Sequence, residues 1–251
     1  MKILVCGKGG SGKSTITSLL AKKAANKGYK VLVVDMDESN FGLHKQLGVK
    51  LPEGLMNFFG GKKSIAEKLL TSVKQGKGEV KIFNEKWRLK DLPKEYLAEK
   101  NGIKLLTIGK IHGFGEGCAC PMGALTRVFL ENLELDEHEV VFVDTDAGIE
   151  HFGRGVEAGC DVVLVVLDPT YESIQLSKKI SQMAKTIGKK VYFILNKVDE
   201  ESRDLMLSFL DKNMVVGVIP QNKEIFRACL VGEELKLDLE EVEKILTNIS
   251  L

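Results

Sequence analysis

Short apolar runs rich in β-branched residues recur along the chain at Ile3 to Cys6, Val31 to Val34, Val140 to Val143, Val162 to Leu167, Val191 to Leu195 and Val215 to Ile219. Runs without polar alternation suit strands covered on both faces. Between them lie segments of helical length, such as Lys13 to Asn26 and Tyr171 to Ile187. Strands alternating with helices predict an α/β fold built on a doubly wound, mostly parallel sheet, whose ligands bind beyond the carboxyl ends of the strands. The residues that follow each run are therefore where chemistry is expected. The stretch from about Pro52 to Lys104 breaks the rhythm: it is rich in Lys and Gly, holds the lone Trp87 and shows no clear period. It reads as an insertion, at about 52–104, on a single domain spanning 1–251.

Composition leaves that picture intact and narrows the partners. The 251 residues are 44% hydrophobic and 28% charged, an ordinary soluble composition able to bury a core. A formal net charge of +1 gives no reason to expect nucleic acid or an acidic membrane surface, both of which reward a strong basic excess. Charge is uneven, however: twelve Lys or Arg face six Asp or Glu between Lys62 and Lys104, leaving that stretch at about +6. The apolar run Ile3 to Cys6 follows Met1-Lys2 directly, with no room for a secretion signal, and no run has the length of a membrane span. A cytoplasmic location is expected, and five cysteines, an odd number, favour reduced thiols over a disulfide framework.

Directly after the first run comes Gly7-Lys8-Gly9-Gly10-Ser11-Gly12-Lys13-Ser14-Thr15, which matches G-x-x-x-x-G-K-[ST] with a strand before it and a helix after. Such a loop wraps phosphates with consecutive backbone N–H groups. Lys13 neutralises β and γ oxygens, the Ser14 hydroxyl reaches Mg²⁺, and the following helix adds its positive end. Lys8 is a second cation inside the loop, where an ordinary phosphate loop needs none. With it the sequence resembles the deviant Walker A class of P-loop NTPases, which includes nitrogenase iron proteins, MinD, ParA and CooC. The resemblance implies a nucleotide-sandwich homodimer in which Lys8 crosses to the partner's nucleotide. It also implies that Asp37, in Val33-Val34-Asp35-Met36-Asp37, lies by the attacking water and Mg²⁺. In Val143-Asp144-Thr145-Asp146-Ala147-Gly148 it implies Asp144 as the Walker B carboxylate and Gly148 as backbone sensor of the γ-phosphate. Asp146 stands where a proline or small residue is more usual.

For the base, Asn196-Lys197-Val198-Asp199 spells the N-K-x-D pattern by which many GTPases read guanine. The deviant class keeps an Asn here yet binds adenine through backbone after a later strand, matched by Ile219-Pro220-Gln221-Asn222. ATP is favoured over GTP, with Asn196, Lys197, Pro220 and Gln221 as the candidate contacts.

Cys118-Ala119-Cys120-Pro121 lies in a glycine-laden stretch, Gly113 to Gly117 and onward, ahead of a predicted helix from about Met122 to Asn132. Thiols at a helix start are acidified by the dipole, so Cys118 and Cys120 are the best soft-metal ligands in the chain. One such pair supplies two ligands where Zn²⁺ takes four; a two-fold dimer would supply the rest, with Zn²⁺ or Ni²⁺ at the interface. The pair, the loop lysine and the string Ala147-Gly148-Ile149-Glu150-His151 before Arg154-Gly155 resemble the CooC-type accessory ATPases that serve nickel insertion into carbon monoxide dehydrogenase. That resemblance implies nickel as cargo and a nickel enzyme as client. Two other readings stay open. A nitrogenase-like iron–sulfur reductase would need a second cluster cysteine after Asp144, where Gly148 to Gly153 has none; a MinD or ParA-type positioning ATPase would need a basic tail or surface, where Asp238 to Lys244 is acidic.

Overall fold

The computed structural model describes residues 1–74, 82–110 and 120–251. Among these residues ten strands form, in chain order: β1 (Lys2–Gly7), β2 (Lys30–Asp35), β3 (Trp87–Arg88), β4 (Leu97–Lys100), β5 (Ile103–Thr107), β6 (Leu133–Glu134), β7 (Glu139–Asp144), β8 (Val162–Leu167), β9 (Lys190–Val198) and β10 (Val215–Pro220). Eight of them make one sheet in the order β10-β9-β8-β1-β7-β2-β5-β4, parallel throughout except for the antiparallel edge strand β4. Among the described residues the helices are α1 (Lys13–Asn26), α2 (Leu43–Leu47), α3 (Leu55–Phe58), α4 (Gly61–Lys74), α5 (Cys120–Asn132), α6 (Glu150–Arg154), α7 (Tyr171–Thr186), α8 (Glu200–Phe209), α9 (Lys223–Val231) and α10 (Glu240–Asn248).

The two-residue period of the strands sorts their side chains onto two faces. Ile3, Val5, Val31, Val33, Phe142 and Leu164 pack with Ile16 and Leu20 of α1 and Ile245 of α10. Their neighbours Leu4, Cys6, Leu32, Val34, Val143 and Val165 pack on the opposite face with Leu125 and Phe129 of α5 and Ile180 of α7. Both faces being covered is what makes the runs continuously apolar. The sheet is therefore doubly wound and mostly parallel, as expected.

All six expected strands form, but β5 and β4, and the short pair β3 and β6, were not anticipated. The expected insertion limit at Lys104 falls inside β5, whose apolar residues Ile103, Leu105 and Leu106 are interrupted by Lys104 and bounded by Thr107. Burial beside β2, not an apolar run, selects this strand. Trp87 also finds a role: it stacks on Phe83 at 5.0 Å between centroids and meets Phe129 of α5 edge-on at 6.1 Å, so it seats its own stretch of chain against the sheet's cover.

Candidate functional site

The carboxyl ends of β1, β2, β7, β8 and β9 converge on the loop between β1 and α1. Gly7 ends β1 with φ +145°, and a Cβ there would collide with the Val166 carbonyl of β8. Gly12 precedes α1 with φ +99°, where a Cβ would strike the Asn196 amide. Both positions need glycine for space as well as for backbone angle. Helix α1 begins with no side-chain cap, whereas Thr170, Asp199 and Asn222 cap α7, α8 and α9. The first-turn N–H groups of α1 thus face the loop uncommitted by any cap, the arrangement that suits a phosphate.

The loop is buttressed from β9. Asn196 donates through Nδ2 to Ser11 O at 2.7 Å, and Lys197 donates to Gly10 O at 2.8 Å. Lys197 holds φ 60° to do so, a left-handed conformation uncommon for a side chain of its size. The Gly148 N–H reaches back to Gly7 O at 3.1 Å, so the segment after β7 joins the loop as well. Lys13 is buried, its Nζ 3.4 Å from Lys8 O at the loop's start. The Lys8 side chain is held in its own chain by Asp168, just beyond β8, at 3.1 Å.

Four oxygens gather below the loop. Ser14 Oγ donates to Asp144 Oδ2 at 2.6 Å, Thr17 Oγ1 donates to Asp144 Oδ1 at 3.3 Å, and the Asn40 amide donates to both Ser14 Oγ, at 2.7 Å, and Asp144 Oδ2, at 3.3 Å. A hydroxyl and a carboxylate sharing one amide donor form a concentration of negative charge that fits Mg²⁺, a hard cation bound through few protein oxygens. Burial pushes the Asp144 carboxyl up to about 6, against the Ser14 hydroxyl and the Lys13 ammonium. Asp37 lies on the adjoining loop after β2 and turns its Oδ1 to the N–H and hydroxyl of Ser39, at 2.9 and 2.7 Å.

Beside the loop a cavity of about 290 Å³ is lined by Gly12, Thr15, Asn196, Lys197, Pro220, Gln221 and the exposed face of Phe226. It has the position and size for a base. Asp199 does not share in it: its carboxylate caps α8, accepting from Ser202 N at 2.9 Å. Of the N-K-x-D set, then, Asn196 and Lys197 brace the phosphate loop and Asp199 serves a helix.

Cys120 is exposed and opens α5 two residues earlier than the expected helix start. Gly113 to Gly117 and Cys118 lie outside the described residues, and no cluster of three or more His, Cys, Asp or Glu able to hold a metal occurs among the described residues. Cys6 and Cys160 are buried; burial and the Glu157 carboxylate raise both thiols, Cys160 to about 12. They are unsuited to be thiolate ligands.

Sequence reasoning missed Asn40, Asp168 and Phe226. Asp168 follows an apolar run and could have been marked by that alone. Asn40 and Phe226 carry no local signal, because their contacts are with Asp144 and with the cavity beside Gly12, far off in sequence.

The chain is similar to known proteins along nearly its whole length. Residues 2–235 match the family model of the CobQ/CobB/MinD/ParA nucleotide binding domain. An uncharacterized ATP-binding protein of Methanocaldococcus jannaschii is 58% identical over 245 residues, covering 98% of each chain. The carbon monoxide dehydrogenase accessory protein CooC of Rhodospirillum rubrum is 33% identical over 240 residues, covering 92% of this chain and 88% of CooC. Septum site-determining protein MinD of Pyrococcus horikoshii, complexed with Mg-ADP, superposes with a TM-score of 0.70 at 17% identity over 99% of this chain and 95% of that one. The chain belongs to the CobQ/CobB/MinD/ParA nucleotide-binding family. Within it, the protein is a P-loop ATPase of the MinD/ParA class.

Proposed function

We propose that this protein is a metal-handling accessory ATPase of the CooC kind, a single P-loop domain over 1–251 that dimerises on ATP and delivers nickel to carbon monoxide dehydrogenase or a related nickel enzyme. The observation that carries the reading is the C-x-C pair in a chain 33% identical to CooC along 92% of its length. Gly7 to Thr15 wrap the phosphates and Lys13 neutralises the β and γ oxygens. Ser14 and Asp144 are the residues that would hold Mg²⁺, with Asp37 nearby; when bound, the ion offsets phosphate charge. Asp37 orients the attacking water, Gly148 senses the γ-phosphate, and Lys8 leaves Asp168 to stabilise charge at the partner's nucleotide, by analogy with an arginine finger.

The base is adenine. Pro220 has a carbonyl and no N–H, so its main chain accepts only; this suits the exocyclic amine of adenine and repels guanine O6. Asp199, the group a GTPase would use, is committed to α8.

Cys118 and Cys120 from two protomers complete a four-thiolate shell for Zn²⁺ or Ni²⁺. Equilibrium dialysis of the ATP-bound dimer against each metal should give one ion per two chains, and Cys118→Ala or Cys120→Ala should abolish tight binding while ATP binding persists. Full metal content in the double cysteine variant would overturn the reading.

A further inference from the structure

We infer that Lys110, a residue without a role in the phosphate-loop signature, is a positioning residue for ATP hydrolysis that fixes the main chain of Asp37; this rests on Asp37 orienting the water. Strand β5 pairs with β2 so that Thr107 lies opposite Asp35, and Ile108 N donates to Asp35 O at 2.9 Å. Lys110 therefore emerges just past the end of β2 and turns over it. Its Nζ lies 2.7 Å from Asp35 Oδ2, donates to the Asp37 carbonyl, and stands 5.9 Å from the centre of the Phe41 ring. The other oxygen of Asp35 accepts the Asp37 N–H at 3.1 Å. One ion pair thus grips both main-chain polar groups of Asp37.

Burial gives this pair its meaning. The Lys110 and Asp35 side chains are 3% and 1% exposed. Removing two charges from water offsets most of their attraction, and apolar residues of similar volume would serve stability about as well. What the ammonium adds is direction: two hydrogen bonds and one cation–π contact spent on one loop, Asp35 through Phe41. The same loop is tied on its other side by Asn40 to Ser14 and Asp144. Asp37 is thereby suspended between two anchors, one at the Mg²⁺ oxygens and one at Lys110. Its carboxylate can be aimed only as well as those anchors hold its backbone.

The test uses the full-length chain with four variants and steady-state ATPase kinetics beside thermal melts. Lys110→Met should lower kcat by roughly 10²-fold, the scale of a small misplacement near reacting groups, with KM for ATP within about twofold because the phosphate loop is untouched. Lys110→Arg should recover much of the loss. Lys110→Met alone leaves Asp35 as a buried, uncompensated carboxylate, so Lys110→Met/Asp35→Asn removes both charges and should restore Tm while kcat stays low. Return of kcat with Tm in the double variant would make Lys110 merely structural and overturn the inference. Asp37→Ala separates the two layers of the argument. If it turns over normally, the assigned role of Asp37 falls and Lys110 has nothing to position; if it is inactive while Lys110→Met hydrolyses ATP at the parental rate, only the inference on Lys110 falls.

Discussion

Replacing Asp168 by Asn should strengthen ATP-dependent self-association. Lys8 Nζ lies 3.1 Å from Asp168 Oδ2, with the two side chains 25% and 13% exposed. The other carboxylate oxygen, Oδ1, accepts from the Thr170 hydroxyl at 3.0 Å and from the Ser173 hydroxyl. Burial works to raise the Asp168 pKa, but the Ser173 hydroxyl and Lys8 hold it below the usual carboxylate range. Asn retains the shape and the Oδ1 acceptor, so the substitution removes charge without releasing the start of α7. A hydrogen bond to a charged group contributes about 1.5–3 kcal/mol when buried, and an exposed ion pair about 0.2–1 kcal/mol. This partly exposed pair falls near ~1 kcal/mol on those scales. If Lys8 must leave Asp168 to reach the partner's nucleotide, a two-fold dimer breaks two pairs, so the variant gains ~2 kcal/mol, roughly 30-fold in dimer Kd. Sedimentation velocity with Mg²⁺ and a non-hydrolysable ATP analogue reads this directly. An unchanged Kd would mean that Lys8 never leaves Asp168, and a weaker dimer would mean that Asp168 itself serves the interface. Either result refutes the reasoning.

Asp199→Asn should leave the preference for ATP over GTP unchanged in competitive binding, because its carboxylate caps α8 and does not face the base cavity; relaxed selectivity would restore the guanine reading. In alkylation at pH 8, Cys6 and Cys160 should stay unmodified until the protein is denatured, and bound ATP should slow reaction at Cys229, which lines the base cavity. Because burial raises Cys160 from 9.0 to about 12, the folded state keeps a proton that the unfolded chain releases. The stability from that proton is complete below pH 9.0 and declines as pH rises toward 12, so Tm should fall across this window.

Much of the sheet was legible because burial on both faces forces apolar runs, and Val162 to Leu167 can hardly be anything else. Strand β5 was hidden because Lys104 sits within it, buttressed by the Leu89 carbonyl at 3.3 Å. The phosphate loop was legible because its backbone geometry demands glycine at Gly7 and Gly12, which leaves a fixed spacing in the sequence. Asn196 was visible as a residue, but its task was not. Bracing Ser11 and reading a base use the same amide, and only the fold shows which partner stands 2.7 Å away. Lys110 had no signal at all, since a lysine after a strand is ordinarily solvated and its burial depends on Asp35, 75 positions earlier.

Asp146, unusual at its position, ties the nucleotide site to α5, the helix that Cys120 opens. Its Oδ2 is 2.9 Å from Nη1 of Arg154, and the Arg154 stem lies so close over Gly123 that a Cβ there would collide with it. Gly123 is in the first turn of α5, three residues after Cys120, while Asp146 is two residues before Gly148, whose N–H holds Gly7 O. The loop that would sense the γ-phosphate is therefore packed on the helix that Cys120 opens. At the other end, Lys110 joins the chain just before residue 111 to Asp35 and Asp37. A phosphate-driven movement of either loop would bear on α5 through Arg154 or on Lys110. If the two cysteines hold an ion as proposed, coupling of this kind would be reciprocal: the ion would favour ATP by the same factor that ATP favours the ion, typically about 5- to 150-fold. On the proposed metal-handling function that reciprocity would be needed, and Arg154, which meets both Asp146 and α5, and Lys110, which meets Asp35 and Asp37, are the side chains placed to supply it.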